Sequence, residues 1–308
     1  MVKRGKQDGV QTYKCNNCGK RFRNKRKLHT KTEEHIWYDY VFRKQVLREL
    51  QDDYRLNKKT LKKILDNYKV DEKKHNPRSL FVIVDALYFR KRKNSDTWCF
   101  VVIRDPKEKE NLWWGYGLRE HHSLYLEGRL ALEKLGYILL GVTGDGMSCI
   151  RKVFVDIPFQ MCLVHIERIV TRKISHKPQT EAGQVLLALV KTLGHCHSSL
   201  WKERFNKYID RYRSFLNQKT YHPLSGERSW THEELRSATL SLKLFEPYLF
   251  TYENNSQLSQ TTNSLEGHFS HIRDIIRVHR GISNHLLQKV LSSIFLASTI
   301  APKKKKAN

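Results

Sequence analysis

Between Tyr40 and Tyr68 apolar side chains recur at three- and four-residue intervals, at Val46, Leu47 and Leu50 and again at Leu61, Ile64, Leu65 and Tyr68. That spacing predicts two amphipathic helices. Between them runs Asp53-Tyr54-Arg55-Leu56-Asn57, and Asn57 is placed to cap the second helix by accepting its free amide protons. Lys58, Lys59, Lys62 and Lys63 then project from the outer face of that helix. Residues 37–76 therefore read as a helix-turn-helix that meets DNA through those lysines; the alternative is an ordinary helical hairpin with a solvated lysine face. Beyond Pro77 the period changes. Leu80 to Phe89, Trp98 to Arg104 and Leu112 to Leu118 are rich in Val, Ile, Phe, Tyr and Trp, with charged turns between them, and predict three strands. A helix (Ser123 to Leu135) and a fourth strand (Ile138 to Val142) follow. After Pro158 a short apolar run, Phe159 to Val164, leads into a helix containing His165, Glu167 and Arg168.

Three strands joined by short turns, then strands reached through helices, predict a mixed sheet with helices on its faces. This α/β element order is that of a ribonuclease-H-like fold. From Gln179 to Leu249 the spacing turns helical throughout, as in Val185, Leu186, Leu189, Val190 and Leu193, or Trp201, Phe205, Tyr208, Ile209, Tyr212 and Phe215. We read residues 178–253 as an inserted all-helical (all-α) domain that divides the catalytic core into 77–177 and 254–300. Residues 1–36 form a basic segment and 301–308 a basic tail.

Charge narrows the partners. The chain of 308 residues carries 57 Lys and Arg against 31 Asp and Glu, a formal charge of +26, which exceeds what solubility needs and attracts polyanions. Nucleic acid is the leading partner, and the helix-turn-helix reading makes it double-stranded DNA. No stretch approaches the roughly 18 consecutive apolar residues of a membrane span, and the amino terminus lacks the apolar core of a secretory signal. The expectation is a soluble intracellular protein with no membrane partner. Cys99, Cys149, Cys162 and Cys196 are scattered, as suits reduced thiols. Only Cys15 and Cys18 are spaced to point two thiolates at one zinc ion, and zinc needs two more ligands. The nearest candidates, His29 and His35, depart from the usual finger spacing, and the alternative is a basic turn with two free thiols.

Three acids stand where a nuclease would put metal ligands. Asp85 interrupts the apolar run Leu80 to Val84, Asp145 closes Ile138 to Gly144, and Glu266 opens a helix after Thr261-Thr262-Asn263-Ser264-Leu265. The first and fourth strands lie side by side in such a sheet, so Asp85 and Asp145 should emerge together. On the third element Leu265, Phe269, Ile272 and Ile276 pack on the sheet while Glu266, Ser270, Arg273 and Arg277 share the polar side. Converging carboxylates without a cation would repel, each pair at a cost on the order of 4 kcal/mol at about 4 Å and an effective dielectric near 20. Two magnesium ions remove that penalty and activate an in-line attack at phosphorus. The alternatives are structural: Asp145 before Gly146 suits a turn, and Asn263 with Glu266 suits a helix capping box. Asp85 is harder to account for structurally, because a charge within an apolar strand costs several kcal/mol to bury unless it is paired, holds a cation or stays at a crevice that solvent reaches. Trp230, Trp201 and the Trp113-Trp114 pair are candidates to stack on DNA bases, against the commoner alternative that strand and helix spacing makes them core; Trp230 is the best candidate of the four.

Val82-Ile83-Val84-Asp85, Thr143-Gly144-Asp145-Gly146, Phe159 to His165 and Thr261 to Gly267 together resemble the Mutator-like superfamily of DDE transposases that bacterial insertion sequences encode. The resemblance implies that Asp85, Asp145 and Glu266 are the catalytic triad and hold two Mg²⁺. It implies that Cys162 and His165 match a Cys-x2-His element supporting the site, as Asn263 does, and that the helical insertion helps hold DNA and a partner subunit. It further implies a homodimer that binds terminal inverted repeats and target DNA and catalyses strand cleavage and transfer in a prokaryotic cytoplasm, associated with the nucleoid. Residues 2–22 resemble the second half of the zinc ribbons that open many such transposases. The rival expectations are a catalytically silent, domesticated transposase acting as a DNA-binding protein, and a nuclease of the same fold.

Overall fold

A computed structural model describes residues 1–7, 10–23, 30–90, 97–221, 226–279 and 281–298. Its contacts fall into two compact units, Met1–Val70 with Ile275–Val290, and Asp71–Asp274 with Leu291–Asn308.

In the first unit β1 (Val2–Gln7), β2 (Val10–Lys14) and β3 (Arg21–Arg23) form an antiparallel sheet in that order. Cys15 and Cys18 occupy the turn between β2 and β3, where Gly19, at φ +68°, donates its amide to the Cys15 carbonyl. Three helices follow: α1 (Thr30–Val41), α2 (Leu47–Tyr54) and α3 (Lys58–Asn67). The predicted cap on α3 is present, Asn57 Oδ1 accepting from the Thr60 amide at 2.9 Å. Leu61, Ile64 and Leu65 are buried, which leaves Lys58, Lys59, Lys62 and Lys63 exposed. Helix α1, which lies ahead of the predicted helical stretch, buries Ile36, Trp37, Tyr40 and Val41. Trp37 stacks on Tyr68 at 4.6 Å. Lys289 Nζ donates to the Leu65 and Asp66 carbonyls at 2.8 and 2.9 Å, placing a cation where the carbonyl ends of α3 are negative.

The second unit is mixed α/β. It opens with β4 (Ser79–Arg90), β5 (Thr97–Asp105), β6 (Glu110–Gly117), α4 (His122–Lys134), β7 (Ile138–Gly144), α5 (Ser148–Val153), β8 (Phe159–Met161) and α6 (Leu163–Ile174). The sheet order is β6-β5-β4-β7-β8; β4, β5 and β6 are antiparallel neighbours, whereas β7 runs parallel to β4 and β8 to β7. This topology is consistent with the ribonuclease-H-like expectation. The sheet is covered on both faces, which is why its strands read as near-continuous apolar runs. Along β5, Cys99, Val101 and Ile103 join one core cluster, while Phe100 faces away and meets Phe295 at 5.7 Å.

The chain continues through α7 (Glu181–Lys191), α8 (Ser198–Leu216), β9 (Lys219–Tyr221), β10 (Arg228–Trp230), α9 (Glu233–Phe245), α10 (Thr251–Asn254), α11 (Asn263–Val278) and α12 (Asn284–Ala297). The expectation of an all-α insertion over 178–253 is corrected here: β9 and β10 pair as an antiparallel ribbon. Strands of three residues, mostly exposed and written Lys-Thr-Tyr and Arg-Ser-Trp, bury no face and so carry no alternating apolar signal. Leu186, Trp201, Phe205 and Leu242 from the helices belong to the same continuous core as Val82, Val101 and Met161 of the sheet. Among the described residues no helix is long and apolar enough to cross a membrane.

Candidate functional site

The register of the sheet brings two of the predicted acids into line. Ile83 on β4 pairs with Thr143 on β7, two residues before Asp85 and two before Asp145, so the parallel strands deliver both acids to the same end of the sheet. Strand β7 stops at Gly144, and Asp145 Oδ1 then accepts the Met147 amide at 2.9 Å. Gly146 takes the left-handed turn at φ +87°, with a Cβ there only 2.4 Å from Met161 Sδ and 2.7 Å from the Phe245 ring. A tight glycine turn is thus what lets Asp145 stop at the strand end.

The remaining side of the crevice comes from α6 and α11. Thr143 Oγ1 donates to the Ser259 carbonyl at 2.5 Å, the Cys162 amide to the Gly144 carbonyl at 2.8 Å, and the Leu163 amide to the Gln260 carbonyl at 3.0 Å. These bonds tie the start of α6 to the end of β7 and to the loop that delivers α11. Glu266 lies in the first turn of α11, with both carboxylate oxygens accepting from the Arg168 guanidinium at 2.7 and 2.6 Å. That fork takes the place of the predicted capping box. His165 Nδ1 is 3.8 Å from Glu266 Oε1. One ligand atom each from Asp85, His165 and Glu266 falls within 4.8 Å of the others.

Electrostatics mark the same place. Burial dominates the Asp85 carboxyl and, with Asp145 and Glu120 nearby, pushes it up to about 7 against the opposing pull of His165 and the Ala86 amide. Burial also raises Asp145. For His165 burial acts downward, but the Cys162 sulfur and the fields of Asp85 and Asp145 outweigh it and lift the imidazole to about 9. Burial opposes the Cys162 thiolate, yet hydrogen bonding with His165 and Thr262 holds the thiol below its ordinary value. Thr262, fully buried, donates its amide and hydroxyl to Cys162 Sγ at 3.3 and 3.4 Å. An acidic crevice is thereby faced by an imidazolium and a guanidinium.

The structure gathers Asp85, His165 and Glu266 with Asp145 in their field and Cys162 behind them. Asn263 is exposed at the start of α11, and Arg273 and Arg277 are exposed along it. Trp230 sits on the β10 ribbon between Arg236, 4.0 Å from its ring centre, and Lys219, at 4.6 Å. The four α3 lysines and Cys15 with Cys18 belong to the other unit. Among the described residues Cys15 and Cys18 find no third ligand; His35 is exposed on α1, and His29 lies outside the described residues. The tail 301–308 lies outside them too.

Four participants escaped the sequence reading as site residues. Glu120 accepts hydrogen bonds from the hydroxyls of Tyr125 and Tyr88 and adds its charge to the field at Asp85. Arg168 and Thr262 act through contacts across 98 and 100 residues. Tyr88, three residues beyond Asp85 on β4, reads as an ordinary strand aromatic. The one available signal was Arg168 three residues after His165, on the same side of α6.

No protein-family model and no curated protein matches the chain. Among the solved structures similar to it are a transposase strand transfer complex and a viral intasome. The Drosophila P element transposase strand transfer complex aligns at a TM-score of 0.40 and 10% identity, over 94% of this chain and 95% of that one. The simian T-cell lymphotropic virus intasome in complex with PP2A regulatory subunit B56 gamma aligns at a TM-score of 0.21 and 12% identity, over 65% and 74%. Superposition at these scores is partial, and it is the side-chain arrangement of this chain that bears on its chemistry.

Proposed function

We propose that this chain is a DDE transposase of the Mutator-like, insertion-sequence type that cuts and joins DNA at the crevice of Asp85, Asp145 and Glu266. The observation that carries this reading is the convergence of Asp85, His165 and Glu266 within 4.8 Å, drawn from a strand and two helices, with the charge of Asp145 felt at Asp85. The carboxylates of this crevice fit a hard divalent ion, since carboxylate oxygens are the ligands magnesium prefers, while His165, held protonated beside them, is a neighbouring cation and not a ligand. Asp85, Asp145 and Glu266 would hold Mg²⁺, which when bound supplies electrophilic activation of a phosphorus centre and of the attacking water or 3′-hydroxyl. The hydrogen bonds from Thr262 to Cys162 Sγ hold the start of α11 and so the bearing of Glu266, and Asn263, the first residue of that helix, would support the site beside them.

DNA contacts in this reading come from Lys58, Lys59, Lys62 and Lys63 of a helix-turn-helix, from Arg273 and Arg277, and from Trp230 and its flanking cations. The lysine helix would select the terminal inverted repeats, and two copies of the chain would pair two ends. Purified protein with Mg²⁺ is expected to join a labelled element end into plasmid. Asp85→Asn, Asp145→Asn and Glu266→Gln each should abolish joining and leave duplex binding intact, as a gel assay of both activities would read. Joining that survives any of the three removes the assignment.

A further inference from the structure

The Arg168 fork on Glu266 has no place in the reading above. A guanidinium bound to both carboxylate oxygens, at 2.7 and 2.6 Å, uses the same acceptor atoms a divalent ion would take. Fork and ion therefore compete for one carboxylate. The side chain of Glu266 is 23% exposed and that of Arg168 is 51% exposed, so the guanidinium can leave toward solvent without unpacking a core. Its stem springs from α6, which at three-residue intervals also presents Cys162 to Thr262 and His165 to the Asp85 and Glu266 carboxylates. An arginine released at such a place has the planar five-donor group that suits a phosphate oxygen pair.

Resting on the reading of this crevice as a metal-dependent phosphoryl-transfer site, we propose that Arg168 is a latch on Glu266. It neutralises the carboxylate until a divalent cation claims it, and then passes to a phosphate of bound DNA. Arg168 is thus a positioning residue in the metal-free protein and a substrate contact in the loaded one. Two properties follow. Metal binding has to break the fork, so removing Arg168 tightens metal. DNA binding gains a contact only when metal is present, so removing Arg168 weakens duplex binding only then.

The test uses the full chain, Mn²⁺ as the ion, and a labelled DNA duplex. Calorimetric titration of Mn²⁺ is expected to show R168A and R168Q binding roughly three- to fivefold tighter than wild type, the range set by a half-exposed ion pair. R172A removes the same charge one turn further along α6 without touching the fork and should leave Mn²⁺ affinity unchanged. R168A should bind the duplex like wild type in EDTA and more weakly than wild type in Mn²⁺. Wild-type affinity for Mn²⁺ in R168A and R168Q, or equal tightening in R172A, overturns the latch; if D85N still abolishes Mn²⁺ binding, the metal site itself stands. Duplex binding in Mn²⁺ unaffected by R168A overturns the passage to phosphate. A wild-type chain that takes no Mn²⁺, or a D85N chain that takes it equally well, overturns both the latch and the catalytic reading beneath it.

Discussion

Gly146 shows how one residue without a side chain can govern the crevice. Its φ of +87° suits glycine alone, and a methyl group there would press on Met161 and Phe245. Gly146→Ala should lower stability by roughly 2–3 kcal/mol, through overpacking and left-handed strain together. Chemical denaturation would measure it, and an unchanged midpoint would mean that the turn reshapes freely. The same turn shows what was legible residue by residue. The step Asp145-Gly146 permitted either a turn or a ligand, and the two are compatible: Asp145 spends one oxygen on the Met147 amide and still shares a field with Asp85 and His165. Glu120 was not legible, because its bond to Tyr88 and its charge at Asp85 depend on where the start of α4 meets β4, and the nearby Tyr125 bond alone says nothing of a site.

At the scale of elements, helix α3 states its two faces openly. Leu61, Ile64 and Leu65 are buried, and four lysines stand out on the other side. If that face meets phosphates, Lys59→Gln and Lys62→Gln should each reduce the slope of log affinity against log salt by about 0.9. Fluorescence anisotropy across a salt series would read this, and an unaltered slope would take the face off the DNA. The strands β4, β5 and β7 and helix α3, each with an apolar pattern, match their predicted limits to within one or two residues, and α6 matches as a helix through His165 and Arg168; α1, which buries Ile36, Trp37, Tyr40 and Val41, went unpredicted. Elements that bury little went unpredicted too: β1 to β3 and the β9–β10 ribbon are short and largely polar. Hydrophobic periodicity reports burial, and where nothing is buried the period is silent.

At the scale of the second unit, a charged cluster ties the start of β6 to the chain that enters β4. Glu110 accepts from Lys73 Nζ at 2.6 Å and from Arg78 Nη2 at 2.7 Å, and the same Arg78 nitrogen reaches Asp105 at 2.6 Å. Burial alone would raise the Glu110 carboxyl, but Lys73 and Arg78 outweigh it and hold it below its ordinary value. A folded value below the unfolded one, about 4.3, means stability fully present above that pH and lost as pH falls through the folded value. Glu110→Gln should therefore lower the Tm at neutral pH, with the gap from wild type closing as the medium is acidified through the carboxylate range. Thermal unfolding at several pH values would show it, and a gap that stays constant into acid would mean that the ionised carboxylate contributes nothing. By itself the sequence determined the order of strands and helices, the basic face of α3, and the three acids at the ends of predicted elements, because burial writes its period locally into the chain. Only the tertiary structure decided that His165 stands among those acids, that Arg168 forks Glu266, and that Glu120 lends its charge. Those neighbours are set by how strands and helices pack, across 32 residues for Glu120 with Tyr88 and 98 for Arg168 with Glu266, distances over which no local pattern carries information.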